Sequence, residues 1–212
     1  MNTQAIGIFD SGVGGITIWK TLTELLPNES TYYLADSKNA PYGQSSKEQI
    51  LNLCIKNTEF LIAKGCKIIV VACNTATTNA IEILRERYAI PFIGIEPAIK
   101  PAALKTKNKS IGILATKGTL TSRLFNETSK KYLKGISVTE QIGEGLVDLI
   151  EKGKLESSEV ELLLETYLKP MIKKQIDCLV LGCTHYPFLI SKIKKITGDT
   201  IEIIDSGLAV AK

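Results

Sequence analysis

Ile69-Val70-Val71-Ala72-Cys73-Asn74-Thr75 and Leu179-Val180-Leu181-Gly182-Cys183-Thr184-His185 share one plan: four apolar or small residues, then a cysteine, then short polar side chains. Apolar residues on consecutive positions mark strands covered on both faces, as in a parallel sheet. Strands are predicted over 6–9, 31–34, 68–72, 92–95, 110–115, 136–139, 178–182 and 201–204. Helical patterns fill 15–26, 47–64, 76–88, 120–133, 158–173 and 187–197 between them. The alternation defines an α/β fold.

A second pair of motifs precedes the first. Ile6-Gly7-Ile8-Phe9, leading into Asp10-Ser11-Gly12, is echoed by Ile111-Gly112-Ile113-Leu114, leading into Ala115-Thr116. The order and spacing of the two pairs suggest a duplicated unit. The expected architecture is therefore two similar α/β domains with mostly parallel sheets, related by pseudo-two-fold symmetry. The first would take residues 1–97 and 207–212, the second 98–206, with both cysteine-bearing strand ends facing one cleft. Ligands of open α/β sheets bind at the C-terminal ends of strands.

Composition sets the boundaries of this reading. The 212 residues carry 44% apolar and 23% charged side chains, ordinary for a globular chain long enough to bury a core. The net charge of +4 is spread along the sequence. Lysine stretches at 105–109 and 192–195 read as solvated helix ends or loops. No basic stripe interleaved with aromatics is present, so no nucleic-acid partner is expected. No apolar run reaches membrane-spanning length, and no signal peptide is visible. Five cysteines, an odd number in or beside apolar segments, suit a reducing cytoplasm.

The chemistry-bearing residues lie at strand ends. A free thiol has a pKa of about 8.5, so ionising it at neutral pH costs about 2 kcal/mol. A helix N-terminus returns roughly 0.3–1 kcal/mol of that. Cys73 and Cys183 each precede a helical pattern; Cys54, Cys66 and Cys178 lie inside elements and read as structural. Asp10-Ser11-Gly12-Val13-Gly14-Gly15 is a glycine turn whose backbone N–H groups suit an anion, and a carboxylate fits it. It lacks a Walker lysine and the dinucleotide spacing. Pro41-Tyr42-Gly43 marks a further turn. His185, the single histidine, stands two residues after Cys183 as an acid–base candidate. The spacing completes no zinc site.

Together, Asp10 to Gly15, Pro41-Tyr42-Gly43, Ala72-Cys73-Asn74-Thr75-Ala76 and Gly182-Cys183-Thr184-His185-Tyr186-Pro187 resemble the glutamate racemases of the aspartate/glutamate racemase superfamily along the whole chain. The resemblance implies an active site between two domains, with Cys73 and Cys183 as the two catalytic acid/base residues and Asp10 and His185 assisting them. It implies substrate binding by Ser11, Tyr42, Gly43, Asn74, Thr75, Thr116, Thr119 and Thr184, with Asp36 and Glu151 as accessory acids. Many members carry a Pro- and Phe-containing stretch before that last acid; here residues 143–150 read Gly-Glu-Gly-Leu-Val-Asp-Leu-Ile. The implied reaction is cofactor-independent, metal-free interconversion of L- and D-glutamate in the cytoplasm, supplying peptidoglycan synthesis. Racemisation of aspartate or another amino acid, and a truncated form that only binds, are the alternatives. A homodimer is compatible with the sequence. The strand ending at 204 runs into Asp205-Ser206-Gly207, a repeat of the Asp10-Ser11-Gly12 turn. The five residues after it are too few for a stable helix, so the native reading frame is expected to continue for a few tens of residues, and the 212-residue form to be less stable or less active.

Overall fold

The computed structural model describes residues 4–211. Its strands are β1 Ile6–Asp10, β2 Thr31–Ala35, β3 Ile68–Val71, β4 Phe92–Gly94, β5 Ser110–Ala115, β6 Ser137–Ile142, β7 Cys178–Gly182 and β8 Glu202–Ile204. The helices are α1 Ile16–Leu25, α2 Lys47–Ala63, α3 Asn74–Arg87, α4 Ile99–Lys105, α5 Lys117–Leu120, α6 Arg123–Tyr132, α7 Leu146–Glu151, α8 Ser158–Lys173, α9 Ile190–Thr197 and α10 Gly207–Ala211.

Two four-stranded parallel sheets form, ordered β2-β1-β3-β4 and β6-β5-β7-β8. The second order repeats the first with each strand four places later, as the duplicated motifs require. In each sheet the chain reverses its winding between the first and third strands. That is the point where a crevice opens at the strand C-termini. Asp10 closes β1 there and Cys73 follows β3; in the second sheet Thr116 follows β5 and Cys183 follows β7. β1, β5 and β7 are buried along their whole lengths, which explains their unbroken apolar runs. The edge strand β6 (Ser-Val-Thr-Glu-Gln-Ile) is nowhere buried, and it continues to Ile142, beyond the predicted end at 139.

Local chemistry moved several predicted boundaries. The helix predicted over 120–133 begins at Arg123, because Ser122 caps it with its hydroxyl accepting from Phe125 N at 3.2 Å, and Lys117–Leu120 forms a separate short helix before it. The segment after Cys183 begins as a 3-10 turn, Tyr186–Leu189, with Pro187 in it, and becomes α-helical at Ile190. α4 and α7 were not read from the sequence; at seven and six residues they are too short to show a period. Lys192 is not a solvated helix end: its side chain is covered, and its ammonium pairs with Glu156 at 2.8 Å and Glu161 at 3.0 Å.

The segment after Gly207 also differs from expectation. A single helical turn, α10, forms and packs against α1. Nucleation is unfavourable for so short a helix alone, but tertiary packing supplies what propensity lacks. Its entry repeats the first turn in geometry as well as in sequence. Gly207 N donates to Asp205 Oδ1 at 2.8 Å, and Gly12 N donates to Asp10 Oδ1 at 2.7 Å. Lys212 lies outside the described residues.

Ile113, in the middle of β5, is fully buried among Ile111, Val180, Phe125 and Ile99. Ile113→Ala should lower unfolding free energy by about 2–5 kcal/mol. Urea unfolding should show a lower midpoint with unchanged slope; a loss under about 1 kcal/mol would mean that this strand is not at the centre of its core.

Candidate active site

The strand ends of the two halves meet around one small enclosed space. Ser11, Tyr42, Gly43, Cys73, Asn74, Thr75, Thr116, Cys183, Thr184 and His185 line it, together with Pro41 and Val147. Ten of the residues singled out from the sequence thus converge, six from the first half and four from the second. The remaining four stand one contact behind. Asp10 accepts from Thr184 Oγ1 at 3.0 Å, Thr119 meets Thr116 at 3.0 Å, Asp36 accepts from Tyr42 at 2.5 Å, and Glu151 meets His185 at 2.5 Å. Val147, from the short α7, is the wall residue that sequence reasoning did not name.

The two thiols have different surroundings. Cys73 is the N-cap of α3, and its Sγ accepts from Ala76 N at 3.5 Å while its S–H is directed at Ser11 Oγ, 3.6 Å away. Burial pushes this thiol up, and the charge of Asp10 adds to the rise; the Ala76 and Ser11 contacts only partly offset it. The helix N-terminus is present as expected, but desolvation outweighs it. No α-helix begins directly at Cys183; a 3-10 turn from Tyr186 comes before α9. The thiol's neighbour is instead the ring of His185, with Nδ1 3.7 Å from Sγ.

His185 is buried, which by itself would lower its pKa, yet its contacts with Cys183 and Glu151 and the charge of Asp10 raise it to about 10. A cationic imidazole donates from both nitrogens: Nε2–H to Glu151 Oε1 and Nδ1–H towards Cys183. Burial would raise Glu151, but His185 and the Val13 N–H hold its carboxyl below the usual range. Asp10 is fully buried and raised by that burial, despite the His185 charge and the Gly12 and Thr184 donors.

The glycine turn does hold a carboxylate, and the carboxylate is the protein's own. Val13 N donates to Glu151 Oε1 at 2.7 Å, and Gly12 N donates to Asp10. These two N–H groups are therefore not the free anion donors that the sequence suggested. The closeness explains the glycines: a Cβ on Gly12 would lie 1.8 Å from Glu151 Oε1, and one on Gly14 2.3 Å from His185 Nδ1. The Tyr42 hydroxyl is likewise committed within the protein. It donates to Asp36 and accepts from Asn57 Nδ2 at 3.0 Å, so it braces the Pro41-Tyr42-Gly43 turn from behind. Asn57, buried on α2, gave no motif signal. Across the space, Thr75 Oγ1 and Thr116 Oγ1 are 2.8 Å apart and join the halves.

The enclosed space measures about 10 Å³, enough for about one water. A hollow of about 270 Å³ adjoins it, sharing Pro41, Gly43, Thr116 and Val147. Roomier hollows of about 480 and 380 Å³ are lined by none of the predicted site residues. Among the described residues no cluster of His, Cys, Asp and Glu could hold a metal ion, and no helix is long and apolar enough to cross a membrane.

Two like α/β halves, each delivering a cysteine from its third strand to a shared cleft, define the class: an α/β enzyme acting on a small molecule between its domains. Residues 17–212 match the model of the Asp/Glu/Hydantoin racemase family. A glutamate racemase of Ralstonia pickettii is 46% identical over all of this chain and 76% of its own length. One from Herpetosiphon aurantiacus is 44% identical, over 100% and 84%. Among solved structures, a glutamate racemase isoform of Bacillus anthracis matches all of this chain and 80% of its own, with a TM-score of 0.88 and 35% identity. The Escherichia coli glutamate racemase, solved with L-glutamate, matches 98% and 80%, with a TM-score of 0.89 and 32% identity. An aspartate racemase of Picrophilus torridus, 21% identical with a TM-score of 0.64, shares the fold. The chain belongs to the Asp/Glu/Hydantoin racemase family, in its glutamate racemase group, and is an amino-acid racemase.

Two outcomes are expected. The single histidine can be followed by NMR without ambiguity, and its ring should remain protonated at pH 7 and titrate near pH 10; a midpoint near 6.5 would show that Glu151 does not hold it. Gly12→Ala should displace Glu151 and reduce turnover by about 100-fold or more while the circular dichroism spectrum is kept; near-normal turnover would contradict the tight fit at the turn.

Proposed function

We propose that the protein interconverts L- and D-glutamate with Cys73 and Cys183 as the two acid–base groups, without an organic cofactor or a metal. The observation that carries this is the difference between two thiols at one cavity. Inverting a carbon stereocentre needs a base on one face and an acid on the other, in opposite protonation states at the same moment. Cys73 is desolvated and kept as a thiol, while Cys183 faces the cationic ring of His185. In one direction the sulfur of Cys183 takes the α-proton and Cys73 gives its own proton to the opposite face; in the other direction the roles exchange.

Removing the α-proton leaves negative charge on the α-carbon and carboxylate. Ser11, Asn74, Thr75, Thr116 and Thr184 are the side-chain donors available around the cavity to hold the substrate's charged groups, with Thr119 behind Thr116 and the Tyr42-Gly43 turn also lining it. Preorganised donors of this kind stabilise developing charge without reorganising. His185, with Glu151 behind it, serves Cys183; Asp10 lies on the side of Cys73 and Thr184; Asp36 keeps Tyr42 in place. Relatives at 42–46% identity are named glutamate racemases, and a structural relative from Francisella tularensis was solved with D-glutamate. In the cell this reaction would supply D-glutamate for peptidoglycan precursors from the cytoplasm. The boundaries 1–97 with 207–212, and 98–206, are proposed as the two bodies that part to admit substrate.

Circular dichroism of D-glutamate and of D-aspartate after addition of protein tests the substrate. Glutamate should lose optical activity with a chelator present and no pyridoxal phosphate added; faster loss with aspartate would reassign the enzyme. In deuterated water the earliest product should carry α-deuterium while recovered substrate stays protonated; equal early labelling of both would mean a single base. Cys73→Ser and Cys183→Ser should each reduce racemisation by about 1,000-fold or more, and substantial activity in either would remove that thiol from the mechanism.

A further inference from the structure

The peptide unit joining Gly12 to Val13 is hydrogen-bonded at both ends. Its N–H, on Val13, donates to Glu151 Oε1 at 2.7 Å. Its carbonyl, on Gly12, accepts from the hydroxyl of Tyr33 at 2.8 Å. Tyr33 lies on β2, the edge strand of the first sheet, with its ring 6.5 Å from that of Trp19. Continuous contacts therefore run from Tyr33 through the peptide to Glu151, on to His185 Nε2 at 2.5 Å, and from Nδ1 to the sulfur of Cys183. The path begins in the first half and ends at a thiol in the second.

We propose that Tyr33 is a positioning residue for His185, acting through the Gly12–Val13 peptide and Glu151. The turn has no side chain at Gly12 to fix its orientation, because Glu151 occupies the place of a Cβ. Glycine opposes rotation of the adjoining peptide only weakly, so the hydrogen bonds at its two ends decide which way it points. With the Tyr33 hydroxyl in place, the carbonyl is held towards β2 and the N–H towards Glu151. Without it, the carbonyl turns to find another donor, and the N–H leaves Glu151. Gly15 makes room for this arrangement: a Cβ there would lie 2.9 Å from the Tyr33 hydroxyl. Hydrogen bonds in series also polarise one another in a poorly solvated site. The charged and titratable groups around the ends of the path are Asp10, Cys73 and Glu151 for Tyr33, and Asp10, Glu151 and Cys183 for His185.

The test has a spectroscopic arm and a kinetic arm; only the kinetic arm rests on the proposed glutamate reaction. The full chain carries one histidine, so imidazole ¹⁵N signals report His185 alone. Tyr33→Phe keeps the ring and its packing while removing the hydroxyl. It should lower the His185 titration midpoint by about half a pH unit or more. Glu151→Gln should lower it further, and the double variant should match Glu151→Gln. In kinetics, Tyr33→Phe should reduce kcat/KM by about fivefold in the wild-type background and hardly at all in the Glu151→Gln background, the non-additivity expected of residues acting in one path. Tyr32→Phe, the exposed neighbour, should change neither readout. An unmoved His185 midpoint in Tyr33→Phe, or the same fivefold loss in both backgrounds, would overturn the proposal. Failure of the wild-type chain to racemise glutamate would overturn the function proposed above, and the titration would still decide the role of Tyr33.

Discussion

One carboxylate oxygen, Oε1 of Glu151, takes hydrogen bonds from both halves of the molecule: from Val13 N in the first and from His185 Nε2 in the second. Most of what distinguishes the site depends on it. The glycines at 12 and 14 are small because Glu151 and His185 press against them, and His185 is cationic because Cys183, Glu151 and Asp10 together outweigh its burial. A cation inside a protein is costly unless paired and hydrogen-bonded, and here the partner comes from α7, a six-residue helix with no evident sequence signal.

Further hydrogen bonds cross between the halves close by. Thr184 donates to Asp10, Thr17 Oγ1 reaches Thr184 O at 3.3 Å, and Thr75 meets Thr116. Each uses short polar side chains rather than apolar contact. Such an interface can hold a closed arrangement and still exchange its partners for water or substrate with little change in free energy, since a net hydrogen bond is worth only about 1 kcal/mol. The apolar cores, by contrast, lie within the halves, around β1 and β3 and around β5 and β7. The halves are thus held internally by apolar packing and joined near the thiols by hydrogen bonds.

The asymmetry of the two thiols is laid over a symmetric scaffold. Both follow the third strand of a sheet with the same order, yet α3 begins directly at Cys73, while a 3-10 turn containing Pro187 follows Cys183. The repeat supplies two equivalent positions, and divergence in the next few residues supplies unequal environments. In the proposed two-base reaction one sulfur holds a proton while the other lacks it at any one moment, and the roles exchange with the direction of turnover.

The sequence by itself determined the fold class, the duplication and the sites of the two thiols. These follow from local periodicity: unbroken apolar runs, the cysteine after each run, and the glycine turn after β1. The resemblance of its motifs to the glutamate racemases also pointed to ten of the twelve residues that line the cavity. Tertiary structure alone decided what those residues bond to. Val13 N–H points at Glu151 rather than outward, the Tyr42 hydroxyl is committed to Asp36 and Asn57, burial overrides the helix N-terminus at Cys73, and Lys192 is covered by two glutamates. α10 exists because α1 lies beside it. In each case the deciding partner is distant in the chain, and desolvation and long-range hydrogen bonding leave no periodic trace in the sequence.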